Sequence, residues 1–395
     1  MTQHRPTPLA LIDYNTPFQG THWPRYHDDF TLGMHAMSSI STLRRIVIDD
    51  AIPHAESLFG DLGEVLLRPG REIDRYAVKD ADALIVRSRT RVHAELLADT
   101  RVRFVGSTVV GLDHVDQTWL KQAGIHFYSA QGCNANAVAE YVIANLVRWA
   151  VAHDQTLQGK TLAIIGVGHV GQRVWRKAQA LGLQCLLNDP PRAAMDKTFP
   201  HTELDICLQA ADFITLHTPL THSGYWPTHH LLNKARLQRI QPTAVLINAA
   251  RGGIVDEDAW LQTETAADII DCWNNEPIIH PDLYRRAWLA TPHIAGHSLD
   301  AKLTGARMVS QALRQFFQQP PLSISAMQLL PAPTQPLQPL GETPLTQLDS
   351  VLTQAWDFRQ DHQTIHHQEI EIVHKQFESY RRHYPPRREW AAHPL

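Results

Sequence analysis

Arg251, Glu276 and His293 are the side chains in this sequence best suited to chemistry. A histidine titrates near neutrality and can take or give a proton, and a carboxylate beside it holds the ring and stabilises the imidazolium. A guanidinium can grip a carboxylate bidentately and polarise a developing carbonyl. Together they suit removal of the hydroxyl proton from a small hydroxy acid. Each follows an apolar run. Arg251 comes after VLINAA, Glu276 lies just past ADIIDCW, and His293 follows Thr291-Pro292. Such runs read as buried strands, which puts all three residues at strand carboxyl ends, where open α/β sheets bind ligands.

A second signal lies upstream. The run Leu162 to Ile165 reads as a buried strand and is followed at once by Gly166-x-Gly168-x-x-Gly171, a helical stretch, and a second apolar run ending in Asp189. Gly166 allows the tight turn, Gly168 lets the backbone approach a pyrophosphate, and Gly171 lets the new helix pack on the sheet with its amides facing the phosphates. An acid at Asp189 suits the ribose hydroxyls and repels a 2′-phosphate, so the expected cofactor is NAD. The chemistry is then alcohol oxidation, with His293 taking the hydroxyl proton as hydride leaves for the nicotinamide.

The elements that must position these residues alternate along the chain. From Arg44, RRIVIDD, EVLLRPG, ALIVRS and RFVGST are short apolar runs, with helical or polar stretches between them. Asn136 to Ala152 reads as an amphipathic helix, and a second α/β unit continues through ADFITLHTPL, TAVLINAARGGIVD, ADIIDCW and AWLATPHIAG. The fold class expected is α/β: two Rossmann-like or flavodoxin-like parallel-sheet domains around a cleft. Residues 1–42 are polar, without period, and are expected to be a poorly ordered extension. Met34 and Met37 lie just before the first strand, so the start is expected downstream; an intact mass beginning at Met1 would refute this. A proline-dense stretch over 326–344 is expected to be an irregular linker before helical spacing resumes.

At 395 residues the chain is too long for one core. Its 44% hydrophobic and 19% charged composition and net charge of −4 give no bias toward nucleic acid or a membrane surface. No run is long enough to span a bilayer, and no signal peptide is evident, so a cytoplasmic location is expected. Cys133, Cys185, Cys207 and Cys272 are scattered and read as free thiols, mostly buried. His362, His366 and His367 have helical spacing but no Cys or carboxylate to complete a metal shell; solvated helix-face histidines and no metal are expected.

The strings GVGHVG, NDPPRA, HTPL, INAARG, IIDCWNNEP and PHIAG resemble the D-2-hydroxyacid dehydrogenase family. The resemblance implies NAD binding and an Arg251, Glu276 and His293 triad. It also implies cofactor contacts at Gly166, Gly168, His169, Val170, Gly171, Asp189, Thr218, Ala249, Ala250, Asp271 and Gly296. Asp271 has an alternative reading as a structural acid at its strand end. Further strings, DALIVRSRTRV, GLDHVD, GCNANAVAEYV, LLPAP and FESYRRHYPPRREW among them, resemble a branch of the family acting on a phosphorylated four-carbon 2-hydroxy acid in vitamin B6 biosynthesis. That branch implies a substrate-binding lid at 43–135 with about 299–325, an NAD-binding domain at 136–298, and a small α+β segment at 345–395 that makes a homodimer.

On the substrate side, Ser88 matches the family's substrate-binding serine. Val109 stands where the branch usually has threonine and His297 where it usually has tyrosine. Losing each hydroxyl weakens binding by roughly 0.5–1.5 kcal/mol. His297, if protonated, would attract the phosphate, and Thr108 would replace the hydroxyl missing at Val109. Alternation along Arg87, Arg89 and Arg91 would put all three on one face, with Arg87 on the phosphate; a solvated basic strand end or loop is the alternative reading. The basic ending, Arg381, Arg382, Arg387 and Arg388, could reach a partner's cleft, though nothing local requires it. The span from Arg251 to Asp271 is short, so a tight loop with an intact triad is expected. Val109 and His297 keep open another 2-hydroxy acid, such as phosphoglycerate or glycerate. An NAD-sensing regulator of the same fold is a further alternative.

Overall fold

A computed structural model of the chain describes residues 44–333, 336–366 and 368–394. The N-terminal extension, with Met34 and Met37, and His367 lie outside the described residues.

Its strands are short, mostly apolar runs, many of them wholly buried. They pair in parallel, as runs covered by helices on both faces should. The first sheet holds β1 (Arg45–Asp49), β2 (Glu64–Arg68), β3 (Ala83–Val86), β4 (Phe104–Ser107) and β5 (His126–Ser129), in the order β2-β1-β3-β4-β5. The second holds β6 (Thr161–Ile165), β7 (Gln184–Asn188), β8 (Phe213–Leu216), β9 (Val245–Asn248), β10 (Ala267–Ile270) and β11 (Leu289–Ala290), in the order β11-β10-β9-β8-β6-β7. Both reverse direction beside their first strand, the flavodoxin-like pattern, and the point of reversal opens a crevice at the strand carboxyl ends. Two parallel sheets are thus as expected. The polar residue inside β10, Asp268, is buried but satisfied: Arg286 Nη2 lies 2.6 Å and Trp260 Nε1 2.6 Å from its carboxylate oxygens.

Two long helices carry the chain between the sheets. Helix Ala135–Ala152 is buried along nearly its whole length and leads into β6. Helix Leu299–Phe316 returns to the first sheet and packs Leu303, Ala306, Val309 and Leu313 among Ile46, Ile48, Leu58 and Phe104.

The C-terminal region differs from expectation in two ways. Between Pro344 and Ala392 the described residues form helices (Pro344–Ala355, Phe358–His366, Ile370–Arg382) and a final 3-10 turn, with no strand among them. Their apolar residues are also used within the chain: Leu348, Val351, Leu352, Phe358 and Trp390 join one core of the second sheet, and Ile365, Val373 and Phe377 the other. Arg148, buried in the long helix, reaches Asp357 at 3.1 Å, Asp349 at 3.6 Å and the Thr353 hydroxyl at 2.6 Å. A segment too short for a core of its own has found one in cis. The described residues of the proline-dense stretch are irregular up to Thr343 except for helix Ala326–Leu329, and Leu337 is buried in the core that holds Leu348 and Trp390.

Candidate active site

A single register row places the site. Asn188, Ile165, Leu216, Asn248, Ile270 and Ala290 lie side by side across the second sheet. The residues that follow them are Asp189, Gly166, His217, Ala249, Asp271 and Thr291. One step beyond the row, therefore, the chain presents the glycine loop, the 217–218 turn, the Ala249–Arg251 turn and the two loops bearing Glu276 and His293.

His293 and Glu276 meet closely. Nδ1 of His293 lies 2.8 Å from Oε2 and 3.0 Å from Oε1 of Glu276, and Oε1 also accepts the Trp273 amide at 2.9 Å. Burial alone would raise the Glu276 carboxyl. The charge and hydrogen bond of His293, the Trp273 amide and the Arg381 guanidinium outweigh it and hold the group below the usual carboxylate range. Both loops turn sharply, with φ of 55° at His293 and 59° at Asn275, strained backbone of the kind that clusters at active sites. Asp271 fixes the His293 turn from below. Its oxygens accept from the Thr291 hydroxyl at 2.7 Å, the Ile294 amide at 2.7 Å and the Ala295 amide at 3.0 Å. The structural role once set as an alternative for Asp271 is visible in these bonds.

Arg251 Nη1 bonds the Ala250 carbonyl at 2.7 Å, and a methyl placed on Gly111 would lie 2.7 Å from its Nη2. Gly111 belongs to the loop after β4, so the guanidinium faces the first sheet's loops across the cleft. The short span before Asp271 folds into helix Glu257–Leu261 and leaves the dyad in place.

The glycine loop fits a dinucleotide on its own geometry. Gly166 has φ of 90°, and a side chain at Gly171 would overlap the Gly166 carbonyl. A methyl on Gly168 would meet nothing within 4 Å, which leaves room for phosphates at the start of helix His169–Ala180. The Thr218 hydroxyl oxygen is buried without a partner among the described residues, an orphan that a ligand polar group would satisfy. Asp189 accepts the Val167 amide at 2.8 Å and caps the next helix through the Arg192 amide at 3.0 Å. Two bonds leave a carboxylate further capacity for ribose hydroxyls. His169 packs against Gly132, where a methyl would lie 2.7 Å from its ring, and Val170 packs on the core. Ala249 and Ala250 are buried, Ala250 bonding the Asn248 side chain through its amide. Gly296 lies against the Asn134 side chain.

The substrate side departs from expectation at several positions. β3 ends at Val86, so Arg87 to Arg91 follow a turn and strand alternation does not hold. Arg87 is half-buried within charge range of Asp49, Ser88 is exposed, and Arg89 pairs with Glu378 at 3.2 Å. Arg91 and Arg89 line one surface cavity with Arg71 and Asp74. The Thr108 hydroxyl is buried on the Val86 carbonyl at 3.4 Å, and Val109 stays half-buried in the loop of Gly111. For His297, burial, then the charges of Arg381, Lys302, Arg87 and His293, push the imidazole well below the usual range, which opposes the cationic role expected of it. Arg381 and Lys302 were missed as cations acting on His297. Nothing in the local pattern of LDAKLTGARM marks Lys302, and the arginine-rich ending gave Arg381 no address within its own chain.

The rest of that ending is structural. Arg387 is buried, Arg388 pairs with Asp300 at 3.0 Å, and Arg382 is exposed. His362 and His366 also face protein and not solvent: His362 Nδ1 lies 2.9 Å from the Ala290 amide, and His366 stacks near Tyr284. One cluster of metal-binding types appears among the described residues, Cys272 with the Glu276 and His293 dyad. Burial raises the Cys272 thiol well above its usual range, and its Sγ lies 3.4 Å from the Ala250 carbonyl oxygen. All four cysteines are free thiols, Cys207 and Cys272 buried and the other two partly so.

Comparison with known proteins agrees with this geometry. A family model described as D-isomer specific 2-hydroxyacid dehydrogenase, NAD binding domain, matches residues 136–295. The chain is 54% identical over 352 residues to the erythronate-4-phosphate dehydrogenase of Hydrogenovibrio crunogenus, covering 89% of this chain and 93% of that one. It is 44% identical to the protein of the same name from Ruthia magnifica, over 88% and 96%. Among solved structures, the NAD-bound 3-phosphoglycerate dehydrogenase of Entamoeba histolytica shares the fold at a TM-score of 0.60 and 23% identity, covering 72% of this chain and 99% of that one. The TT0316 protein of Thermus thermophilus does so at 0.59 and 26%, over 70% and 98%. The chain belongs to the erythronate-4-phosphate dehydrogenases of the D-2-hydroxyacid dehydrogenase family, and its NAD-binding domain lies within residues 136–295.

Proposed function

We infer that the chain oxidises 4-phospho-D-erythronate to (R)-3-hydroxy-2-oxo-4-phosphobutanoate in pyridoxine 5′-phosphate biosynthesis. The observation that carries the chemistry is the Glu276 and His293 dyad at 2.8 Å, set at strand ends beside the glycine loop. The relatives' shared name supplies the substrate.

NAD, when bound, supplies the acceptor for the hydride leaving C2. Gly166, Gly168 and Gly171 shape its phosphate site, Asp189 faces the ribose, and Thr218 and the Ala249–Ala250 backbone lie on the nicotinamide side. Arg251 grips the substrate carboxylate and polarises the C2 oxygen. Glu276 holds the Nδ1 proton of His293, which leaves Nε2 to take the hydroxyl proton. The ionised carboxylate then stabilises the imidazolium. Ser88 and Arg87 receive the far end of the substrate, with Val109 and His297 on the walls of the cleft.

NADH formation with 4-phospho-D-erythronate, 3-phosphoglycerate and glycerate tests this. The four-carbon phosphate should give the highest kcat/KM, and a higher value for 3-phosphoglycerate would overturn the assignment. In this reading residues 43–135 with about 299–325 form the substrate-binding lid and residues 136–298 the NAD-binding domain. A homodimer is part of the same reading, supported by the exposed Met327, Leu340 and Ile372 around the C-terminal helices. Light scattering at the mass of two chains is the expected result. A reducing, cytoplasmic setting accords with four free thiols. No described helix is long and apolar enough to cross a membrane.

A further inference from the structure

With the dyad and Arg251 assigned, the cleft still holds positive charge that proton transfer does not use. Arg87 follows β3 at the point where the first sheet reverses its strand order, and its guanidinium makes no hydrogen bond among the described residues. Asp49 is the carboxylate nearest in effect, opposed by Arg89 and Arg381. Lys302, in the first turn of helix Leu299–Phe316, lies within charge range of Arg87, and its ammonium is likewise without a hydrogen bond among the described residues.

The third cation arrives from far along the chain. Arg381 sits in the last turn of helix Ile370–Arg382, and its Nη1 lies 3.1 Å from Oε1 of Glu378. The other Glu378 oxygen lies 3.2 Å from Nη2 of Arg89, and the Glu378 carbonyl lies 3.4 Å from the same nitrogen. Glu378 therefore brackets two guanidiniums, one from the turn after β3 and one from the C-terminal helix. One carboxylate between two cations leaves the bracket net positive. Arg381 Nε and His297 Nδ1 are both buried with no partner, and the Arg381 charge acts on Arg87, His297 and Glu276 alike. Four cations, Arg87, Arg89, Lys302 and Arg381, outnumber Glu378 and Asp49, and with the orphaned ring and guanidinium nitrogens they describe an anion site. Arg251 already serves the substrate carboxylate, so this second site suits a second anionic group on the same small molecule.

We propose that Arg381, held by Glu378, completes a phosphate subsite with Arg87 and Lys302, so that the C-terminal helix sets the preference for a phosphorylated substrate. The inference rests on the substrate reading above and adds a specificity residue to it. A phosphate monoester carries close to two negative charges at neutral pH, which matches several cations around one bracketing acid.

The test compares 4-phospho-D-erythronate with D-erythronate, which keeps the carboxylate and hydroxyl and lacks the phosphate. Arg381→Ala should lower kcat/KM roughly 10- to 100-fold on the phosphorylated substrate, the loss of one charge-assisted contact. Its loss on the phosphate-free compound, the part due to the Arg381 charge acting on Glu276, should be at least about threefold smaller. Arg381→Lys, which keeps the charge without the fork, should give an intermediate and equally selective loss, and it serves if the alanine variant unfolds. Equal losses on both substrates, or an unchanged ratio, would overturn the proposal. A wild-type enzyme with no preference for the phosphorylated compound would instead sink the substrate reading on which it rests.

Discussion

Nε of Arg387 donates to the backbone carbonyl of His297 at 3.0 Å, which ties the end of the chain to the active-site loop ninety residues earlier. The same guanidinium reaches the Ala295 carbonyl at 3.1 Å, the Ala137 carbonyl at 3.4 Å and Glu140 at 3.3 Å. Ala137 and Glu140 lie in the first turns of helix Ala135–Ala152, and His297 just precedes helix Leu299–Phe316. These are the chain's two crossings between the sheets. Next to Arg387, Glu389 bonds the Ser298 hydroxyl at 2.8 Å and the Asn136 amide at 2.8 Å, fastening both crossings again. Glu140 itself is pushed up to about 8 by burial and by Glu389, against the pull of Arg387 and Lys177.

Arg387→Met should therefore cost about 3–5 kcal/mol, because it leaves the carbonyls of His297, Ala295 and Ala137 without this donor and removes the cation that favours ionised Glu140. The double variant Arg387→Met with Glu140→Gln should recover part of that loss, since no charge then remains uncompensated. Urea unfolding of both proteins measures the difference. A single variant within about 1 kcal/mol of wild type would show that the clamp carries no weight.

Asp271 separates two readings of one residue. Three hydrogen bonds from Thr291, Ile294 and Ala295 make it the anchor of the His293 turn, and a cofactor role would add to these. Asp271→Asn places an NH2 against an amide that needs an acceptor. If positioning dominates, kcat should fall on the order of 10-fold or more while the KM for NAD moves little. A large rise in the NAD KM at near-normal kcat would favour direct cofactor contact.

Asp189→Ser tests cofactor choice while sparing the helix cap, because serine caps nearly as well as aspartate. The Arg192 amide keeps an acceptor, but the charge facing the ribose is gone. KM for NAD should rise about tenfold, and NADPH, which the Asp189 charge should repel in wild type, should become a measurable substrate in the reductive direction. Unaltered NAD kinetics would remove Asp189 from the ribose site.

The strand ends were legible because apolar runs of four or five residues are short enough to locate their ends closely. Gly166, Asp189, Arg251 and Asp271 could thus be placed before any geometry was known, and one register row brings their loops together. What could not be read was long-range pairing. Arg381 and Arg387 approach the cleft only because helix Ile370–Arg382 and the tail after it pack on the second sheet, through residues such as Val373, Phe377 and Trp390. An amphipathic stripe declares that it must be covered and says nothing of what covers it. The same limit misplaced the histidines: His362 has the spacing of a solvated face, yet that face lies against Ala290 of β11. The turn after β3 failed for a local reason, since alternation stops when the strand does.

Glu257 gives the chain a pH dependence of stability opposite to the usual acid limb. Its carboxylate accepts the Asn274 amide at 2.7 Å, two residues before Glu276. Burial pushes it up to about 7; the Asn274 amide and His280 oppose the rise, while Glu276 and Asp258 add to it. A carboxyl raised on folding holds a proton that the unfolded chain has already released, so stability should fall as pH climbs from about 4.5 to about 7. Glu257→Gln keeps an acceptor for Asn274 and removes the ionisation. Wild type and variant should unfold at similar denaturant concentrations near pH 4.5, and the variant should be favoured by on the order of 1–3 kcal/mol above pH 7.5. Parallel stability curves across that window would show that Glu257 ionises in the folded protein as easily as in water.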